Sequence, residues 1–331
     1  MSTHTDKITQ ICCINDKFLS TTSYDGSLCV WSLSERERLV QFEVKSAATC
    51  QTLLDFSESQ AKLFPKLTKN SSKRPKYPLI VVGYADGSIR IFDLDKKNIA
   101  CKIQTFNKSE ITCLNHCKNS AILLAGSSEG NIAVIDLNQL ITTRIIEDHK
   151  GAPINSLDSF YKEDKSLSCW LASSNDGRIS VWHTKCNEDL FQMIDWISIS
   201  ENSTNEAKKT LRKDWSKHSP CLAQFVSNSD EIAYIGYESK KEILFYSMTK
   251  KQVTRTMSLS EWPLCMSITN SCDLIAFGTK SRLLQLKDYN KATFQDYTQH
   301  SDSVLSVCFS NDGKRLFSTS FNEIFVWDVK I

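Results

Sequence analysis

One phrase recurs along the chain and limits what it can fold into: a short apolar strand, a tight polar turn, then an alternating strand that ends on a large residue five positions after the turn. Phe18–Gly26 leads to Trp31, Val81–Gly87 to Phe92, Leu123–Gly130 to Ile135 and Trp170–Gly177 to Trp182. Asp-Gly stands at three of these turns and Glu129-Gly130 at the fourth. Asp-Gly predicts a two-residue hairpin with a primed turn, because glycine enters the left-handed region without steric cost. Near the C-terminus Ser318–Glu323 leads to Trp327, with Asn322 where glycine would stand; asparagine tolerates that region better than most residues. Two looser copies, Ile232–Tyr237 with Ile243–Tyr246 and Leu274–Gly278 with Leu283–Leu286, complete the set.

Each copy follows another short strand: Ile8–Ile14, Thr49–Phe56, Ile111–His116, Ile154–Phe160, Cys221–Val226, Leu264–Ile268 and Val304–Ser310. The 331 residues therefore divide into seven units of about 47, slightly more than the roughly 40 to 45 residues of a four-stranded propeller blade. Insertions at 57–78 and 200–219 absorb the excess. With no helix-period segment between the strands, doubly wound and βα-barrel folds are excluded. The expectation is a single all-β, seven-bladed propeller over 1–331, with blades at approximately 4–45, 46–107, 108–148, 149–199, 218–259, 260–299 and 300–331. Blades one to six have material for an outer strand, such as Leu39–Val44 and Ile99–Phe106, but only four residues follow Trp327. A three-stranded last blade with an exposed edge is expected, or one filled by an upstream segment or a partner.

Hydrophobic residues at 41% and charged residues at 24% supply a core of globular size. A net charge of +2 gives no global field toward nucleic acid or an anionic membrane. Met1–Ile11 has no apolar stretch like a secretory signal, and nowhere do about 18 apolar residues run together. The thirteen cysteines then fit a reducing, cytoplasmic compartment, where thiols serve as small buried apolar groups. Cys113-Leu114-Asn115-His116-Cys117 could supply zinc ligands, but no second half-site follows, so it reads as core.

His4-Thr5-Asp6-Lys7-Ile8, His300-Ser301-Asp302-Ser303-Val304 and Val326-Trp327-Asp328 resemble the opening and closing segments of WD repeats. That resemblance implies a hydrogen-bonded tetrad of a histidine, a strand Ser or Thr, a turn Asp and a Trp within a blade. His149, Asp176 and Trp182 with a serine of Ser173-Ser174 match it best, then His4, Asp25 and Trp31; His300 and Trp327 stand without the Asp. A hydrolase triad is the competing reading of such sets, but no nucleophile elbow is present.

His149–Asn155, Ile194-Asp195-Trp196, Glu242–Tyr246 and Asn322–Trp327 are together similar to the C-terminal propeller of the WD repeat-containing protein 90 family. This similarity spans roughly the second half of the chain. It implies a protein of centrioles, basal bodies or cilia that lies on the inner microtubule wall, with tubulin or centriole scaffold proteins as partners. Members carry an N-terminal microtubule-binding domain that this sequence lacks, so a fragment or a divergent short member is expected.

The densest basic run, Lys62, Lys66, Lys69, Lys73, Arg74 and Lys76, lies in the first insertion. It reads either as a solvated loop or as a tether to an acidic surface. Only Phe64 and Tyr77 accompany it, too few aromatics for stacking bases, so no specific nucleic acid is expected. The second insertion mixes charges around Leu211 and Trp215 and reads as a solvated connection. No phosphate-binding glycine loop, His-Glu-x-x-His or paired Cys-x-x-Cys is present. The expectation is a non-catalytic protein-binding scaffold with no catalytic, cofactor or metal residues and no membrane contact. The alternative is a substrate receptor or peptide reader in a ubiquitin ligase or other regulatory complex. Trp327-Asp328-Val329-Lys330 departs from the Trp-Asp-x-Arg stretch of ligase adaptors.

Overall fold

The computed structural model describes residues 4–54, 76–117, 119–149, 151–162, 167–185, 190–199, 220–226, 231–235, 241–269, 271, 273–291 and 293–330. Its strands form seven antiparallel sheets in chain order. The first blade is β1 (Ile8–Asn15), β2 (Phe18–Ser23), β3 (Ser27–Ser32) and β4 (Arg38–Glu43). The second is β5 (Ala48–Leu54), β6 (Leu79–Tyr84), β7 (Ser88–Asp93) and β8 (Asn98–Gln104). Next come β9 (Ile111–His116), β10 (Ile122–Ser127), β11 (Ile132–Asp136) and β12 (Ile141–Ile146), then β13 (Ile154–Lys162), β14 (Leu167–Ser174), β15 (Arg178–Lys185) and β16 (Leu190–Ser198). The fifth and sixth blades are β17 (Ala223–Phe225) to β20 (Gln252–Ser258), through β18 (Glu231–Ile235) and β19 (Glu242–Ser247), and β21 (Pro263–Ile268) to β24 (Phe294–Tyr297), through β22 (Leu274–Thr279) and β23 (Leu284–Asp288). The seventh has three strands, β25 (Ser306–Phe309), β26 (Arg315–Thr319) and β27 (Ile324–Asp328). Among the described residues there is no helix.

The second and third strands of a blade are covered on both faces by neighbouring blades, so they read as near-continuous apolar runs rather than alternating ones. Leu79–Tyr84 and Ile122–Ser127 are buried at every position. The fourth strands face solvent, and β4 and β8 are largely exposed. Each large side chain buried in these layers contributes about 1.5–3 kcal/mol.

The hairpin turns correct the expected primed geometry. Positive φ occurs at the glycine alone, 83° at Gly26, 75° at Gly87, 85° at Gly130 and 76° at Gly177, and not at the acidic residue before it. The loop is therefore three residues long, a type I turn followed by a left-handed residue. Gly26 N–H donates to Ser23 O at 3.0 Å, and Gly87 repeats the bond to Tyr84 O. Glycine is required here for room as well. A Cβ on Gly26 would lie 2.0 Å from Val44 O, and one on Gly130 2.2 Å from His149 O, because the chain leaving the fourth strand crosses over the turn. The aspartate is freed to cap: Asp25 Oδ1 accepts from Ser27 N at 2.8 Å, and Asp86 Oδ1 from Ser88 N at 3.0 Å. In blade seven four residues, Ser320–Glu323, lie between the paired Thr319 and Ile324, against five between the paired Thr22 and Leu28 of blade one, and Asn322 is not left-handed, so it does not take the glycine's place.

Adjacent blades are tied by hydroxyls near the start of the innermost strands. Thr9 donates to Ala48 O at 2.9 Å, Thr49 to Ile111 O, Thr112 to Ile154 O at 2.6 Å and Ser156 to Ala223 O at 3.0 Å. Three seams also wedge a thiol against a glycine. Cβ atoms on Gly83, Gly126 and Gly278 would lie 2.7, 2.6 and 2.6 Å from the sulfurs of Cys50, Cys113 and Cys265, and each would also meet the next blade's Ile111, Ile154 or Val304. Ring closure between blades seven and one uses Ile8 N–H to Phe321 O at 2.8 Å and Ile11 N–H to Ser306 Oγ at 3.2 Å. Ile8, Ile11, Leu19 and Trp31 pack there with Phe317 and Ile324.

Candidate functional site

The histidine networks lie inside the blades. In blade one His4 Nε2 is 2.8 Å from Thr21 Oγ1, and its Nδ1 is 2.8 Å from Ser27 Oγ and 3.2 Å from Asp25 Oδ2. The Trp31 indole N–H donates to the same Thr21 hydroxyl at 2.8 Å. Thr21, accepting from Trp31, spends its own proton on Nε2, which leaves Nδ1–H to face the Asp25 carboxylate. Burial lowers the His4 pKa, with Asp25 opposing the shift, so the ring is held neutral. Burial pushes the Asp25 carboxyl up, but the hydrogen bonds it accepts from Ser27 and Thr5 hold it below the ordinary value.

Blade four differs from its sequence reading. His149 is fully buried, with Nδ1 at 3.0 Å from Asp176 Oδ2. Its Nε2 meets Ser180 Oγ at 3.0 Å, not Ser173 or Ser174, which bond to Cys221 O and Ala152 O instead. Trp182 is outside the network: its N–H has no acceptor among the described residues, and its ring stacks on Trp170 at 5.3 Å and 6°. Register gives the reason. Thr21 pairs with Cys29, and the matching pair in blade four is Ala172 with Ser180. The second strand thus lacks a hydroxyl where one is needed, and the histidine turns to the third strand.

Blade seven has the carboxylate that the sequence lacked in aspartate form. His300 Nε2 is 2.7 Å from Ser318 Oγ, which also accepts from Trp327 N–H at 2.8 Å. Glu323 takes the aspartate's place from a turn one residue shorter, its longer side chain making up the reach. Glu323 Oε2 lies 3.7 Å from His300 Nδ1 and accepts from Ser301 N at 3.1 Å, as Asp25 accepts from Thr5 N. His4, His149 and His300 are 6%, 0% and 3% exposed, so these sets build blades and do not meet a substrate.

Cys113 and Cys117 are enclosed as well. Cys113 Sγ points at Ile154 O, and His116 Nε2 at Ser120 O, so this sequence cluster is spent on core packing. Burial pushes the Cys113 and Cys265 thiols up to about 12, which keeps both protonated and unreactive.

Of the candidate binding residues, Lys62, Lys66, Lys69, Lys73 and Arg74 lie outside the described residues, as does the insertion 200–219. Lys76 is exposed; its backbone N–H donates to the Asp95 carboxylate, and its ammonium lies 5.2 Å from the Tyr77 ring. It marks the end of the strands opposite the histidines, where the β7–β8 turn adds exposed Lys96 and Lys97.

The sequence profile of the family described as WDR90, 4th beta-propeller, matches residues 7–331. The chain belongs to this WDR90 family. It is 31% identical over 336 residues to WD repeat-containing protein 90 of Xenopus tropicalis, an alignment covering 100% of the chain and 17% of the relative. The Mus musculus protein of that name is 29% identical, over 94% of the chain and 16% of the relative, and the Homo sapiens protein 28%, over 99% and 18%. The chain spans less than a fifth of the length of these relatives. WDR90 membership and the WD-propeller fold together support a protein-interaction scaffold.

Proposed function

We propose that this WDR90-type propeller is a non-catalytic structural component of the centriole, basal body or ciliary inner microtubule wall, holding other proteins in place. The observation that carries this reading is the family match over residues 7–331. The basic run from Lys62 to Lys76, together with the exposed Lys96 and Lys97, suits an acidic partner surface such as tubulin's, since clustered lysines attract acidic tracts without sequence specificity. The test is localisation of the tagged chain in ciliated cells, with co-sedimentation on microtubules at low and high salt. Wall localisation and salt-sensitive binding lost on deleting Lys62–Lys76 are expected, as exposed charges are screened over about 8 Å at physiological ionic strength. A diffuse signal with no co-sedimentation overturns the reading.

A further inference from the structure

At the end of the strands where the histidines lie, blades one to three bring the residue before the innermost strand against the residue after the second strand. Tyr24 N–H donates to Lys7 O at 3.0 Å in blade one, Ala85 N–H to Ala47 O at 3.0 Å in blade two, and Ser128 N–H to Glu110 O at 2.9 Å in blade three. These pairs follow one another around the central axis, because the strands they lead into are joined by Thr9 to Ala48 O and by Thr49 to Ile111 O. Phe321 of blade seven extends the row, its carbonyl accepting from Ile8 N–H at 2.8 Å. The row is uneven. Phe321 and Tyr24 are left 43% and 40% exposed, whereas blade two offers only the methyl groups of Ala47 and Ala85. A notch therefore opens over blade two, with aromatic rings on one side and Glu110 on the other.

Glu110 is the unbalanced member. Burial pushes its carboxyl above the ordinary value, and no hydrogen bond or cation among the described residues opposes the shift, although Lys7, Lys45 and Lys108 stand in neighbouring loops. Its charge reaches across the notch: burial first, and then Glu110 and Asp6, raise the Tyr24 hydroxyl. Burial, then Cys113 and more weakly Glu110, raise the Cys50 thiol on β5. A carboxylate partly stripped of water and left unpaired costs free energy that an incoming cation offsets. The Tyr24 ring draws cations as well, since the chain's own Lys7 ammonium lies 5.7 Å from its centroid, at the outer limit of a cation–π contact.

We propose that the notch over blade two binds an arginine side chain of an extended partner segment, whose guanidinium stacks on Tyr24 and pairs with Glu110 while a neighbouring apolar side chain rests on Phe321. Arginine suits both groups. Its planar guanidinium stacks on an aromatic face and presents a fork of N–H donors to a carboxylate, where a lysine ammonium acts as a point charge.

The inference rests on reading the propeller as a protein-interaction scaffold, but it is tested apart from cellular location. The probe is a fluorescently labelled peptide of about seven residues, with arginine at the centre, leucine on either side and serine and glycine beyond, titrated into the full chain. Saturable binding is expected in anisotropy. Glu110→Gln should weaken it by about tenfold, the worth of one charge-assisted bond. Tyr24→Ala should weaken it by about threefold, that of an exposed cation–π contact, whereas Tyr24→Phe keeps the ring and the affinity. Citrulline in place of the arginine, neutral and of the same shape, should abolish binding, and lysine should weaken it several-fold. Because Glu110 is unpaired, Glu110→Gln should leave the melting temperature unchanged or raise it, which separates lost binding from lost fold. Glu37→Gln, at the opposite end of the strands, is the control for long-range charge. No saturable binding, a citrulline peptide that binds as well, or an equal loss from Glu37→Gln overturns the proposal. Wall localisation without peptide binding strikes only this inference, and peptide binding with a diffuse signal strikes only the cellular reading.

Discussion

Blades one and four start from the same residues, a histidine, a turn aspartate and a closing tryptophan, and put them to different uses. In blade one the Thr21 hydroxyl joins His4 to Trp31, so the tryptophan is fixed by a hydrogen bond. In blade four Ala172 stands at that register, His149 bonds to Ser180 and lies against Trp196 at 5.1 Å, and Trp182 is held by Trp170. One hydroxyl on the second strand thus decides whether the closing residue joins a polar network or an aromatic stack. A polar network fixes a single packing only when every member is satisfied, whereas a stack accommodates a neutral change of edge.

The largest expected effect is at the satisfied tryptophan. Trp31→Ala should cost about 3–5 kcal/mol, since Trp31 is 2% exposed and its loss leaves a cavity beside Ile324. Urea midpoints measure it, and an unchanged midpoint would remove the network from the account of blade one. Next is the shared hydroxyl. Thr21→Val keeps the shape but strips His4 and Trp31 of a partner, at about 2–3 kcal/mol for unsatisfied buried groups. The same measurement on Ala172→Val should give only the overpacking cost.

Acid should separate the networks further. Burial lowers the pKa of both His4 and His300 below the ordinary 6.5. The unfolded chain then takes up protons that the folded chain refuses, so stability is full above about 6.5 and falls as pH drops below it. Asp25 and Glu323, held below their ordinary values, add a loss in the same direction in stronger acid. Melting temperature between pH 7.5 and 5.5 checks this; it should fall, and fall less for His4→Gln. The smallest effect should be Trp182→Phe, within about 0.5 kcal/mol of an exchange between aromatic rings, because the indole N–H that it removes has no acceptor among the described residues. A loss above about 1 kcal/mol would mean that the N–H is bonded after all.

Much of the architecture is legible in the sequence because strands covered on both faces print continuous apolar runs, and the turn glycines punctuate them. Register is not printed that way. Slipping a strand by one residue exchanges its faces, and choosing Ser173 or Ser174 over Ala172 as the Thr21 equivalent is such a slip. Glu323 was hidden for a related reason: the blade-seven turn is one residue short, so the carboxylate comes from the position Ser27 holds in blade one. The turn type is not printed either, because Asp-Gly serves two geometries, and only the crossing of Val44 and His149 over the glycines tells them apart. The thiol-and-glycine wedges at Cys50, Cys113 and Cys265 carry a signal that can be found, a cysteine on the inner strand opposite a glycine on the next.

The seam between blades seven and one has a mechanical consequence. Every other seam is spanned by the polypeptide itself, so separating those blades means stretching chain. Among the described residues this one is a clasp, held by the bond from Ile8 to Phe321, the bond from Ile11 to Ser306 and a patch of apolar side chains. A load applied across blades seven and one falls on that clasp before it reaches any blade's own ladder of hydrogen bonds. Under tension the ring would open there first, as a bracelet does, with its other blades still folded.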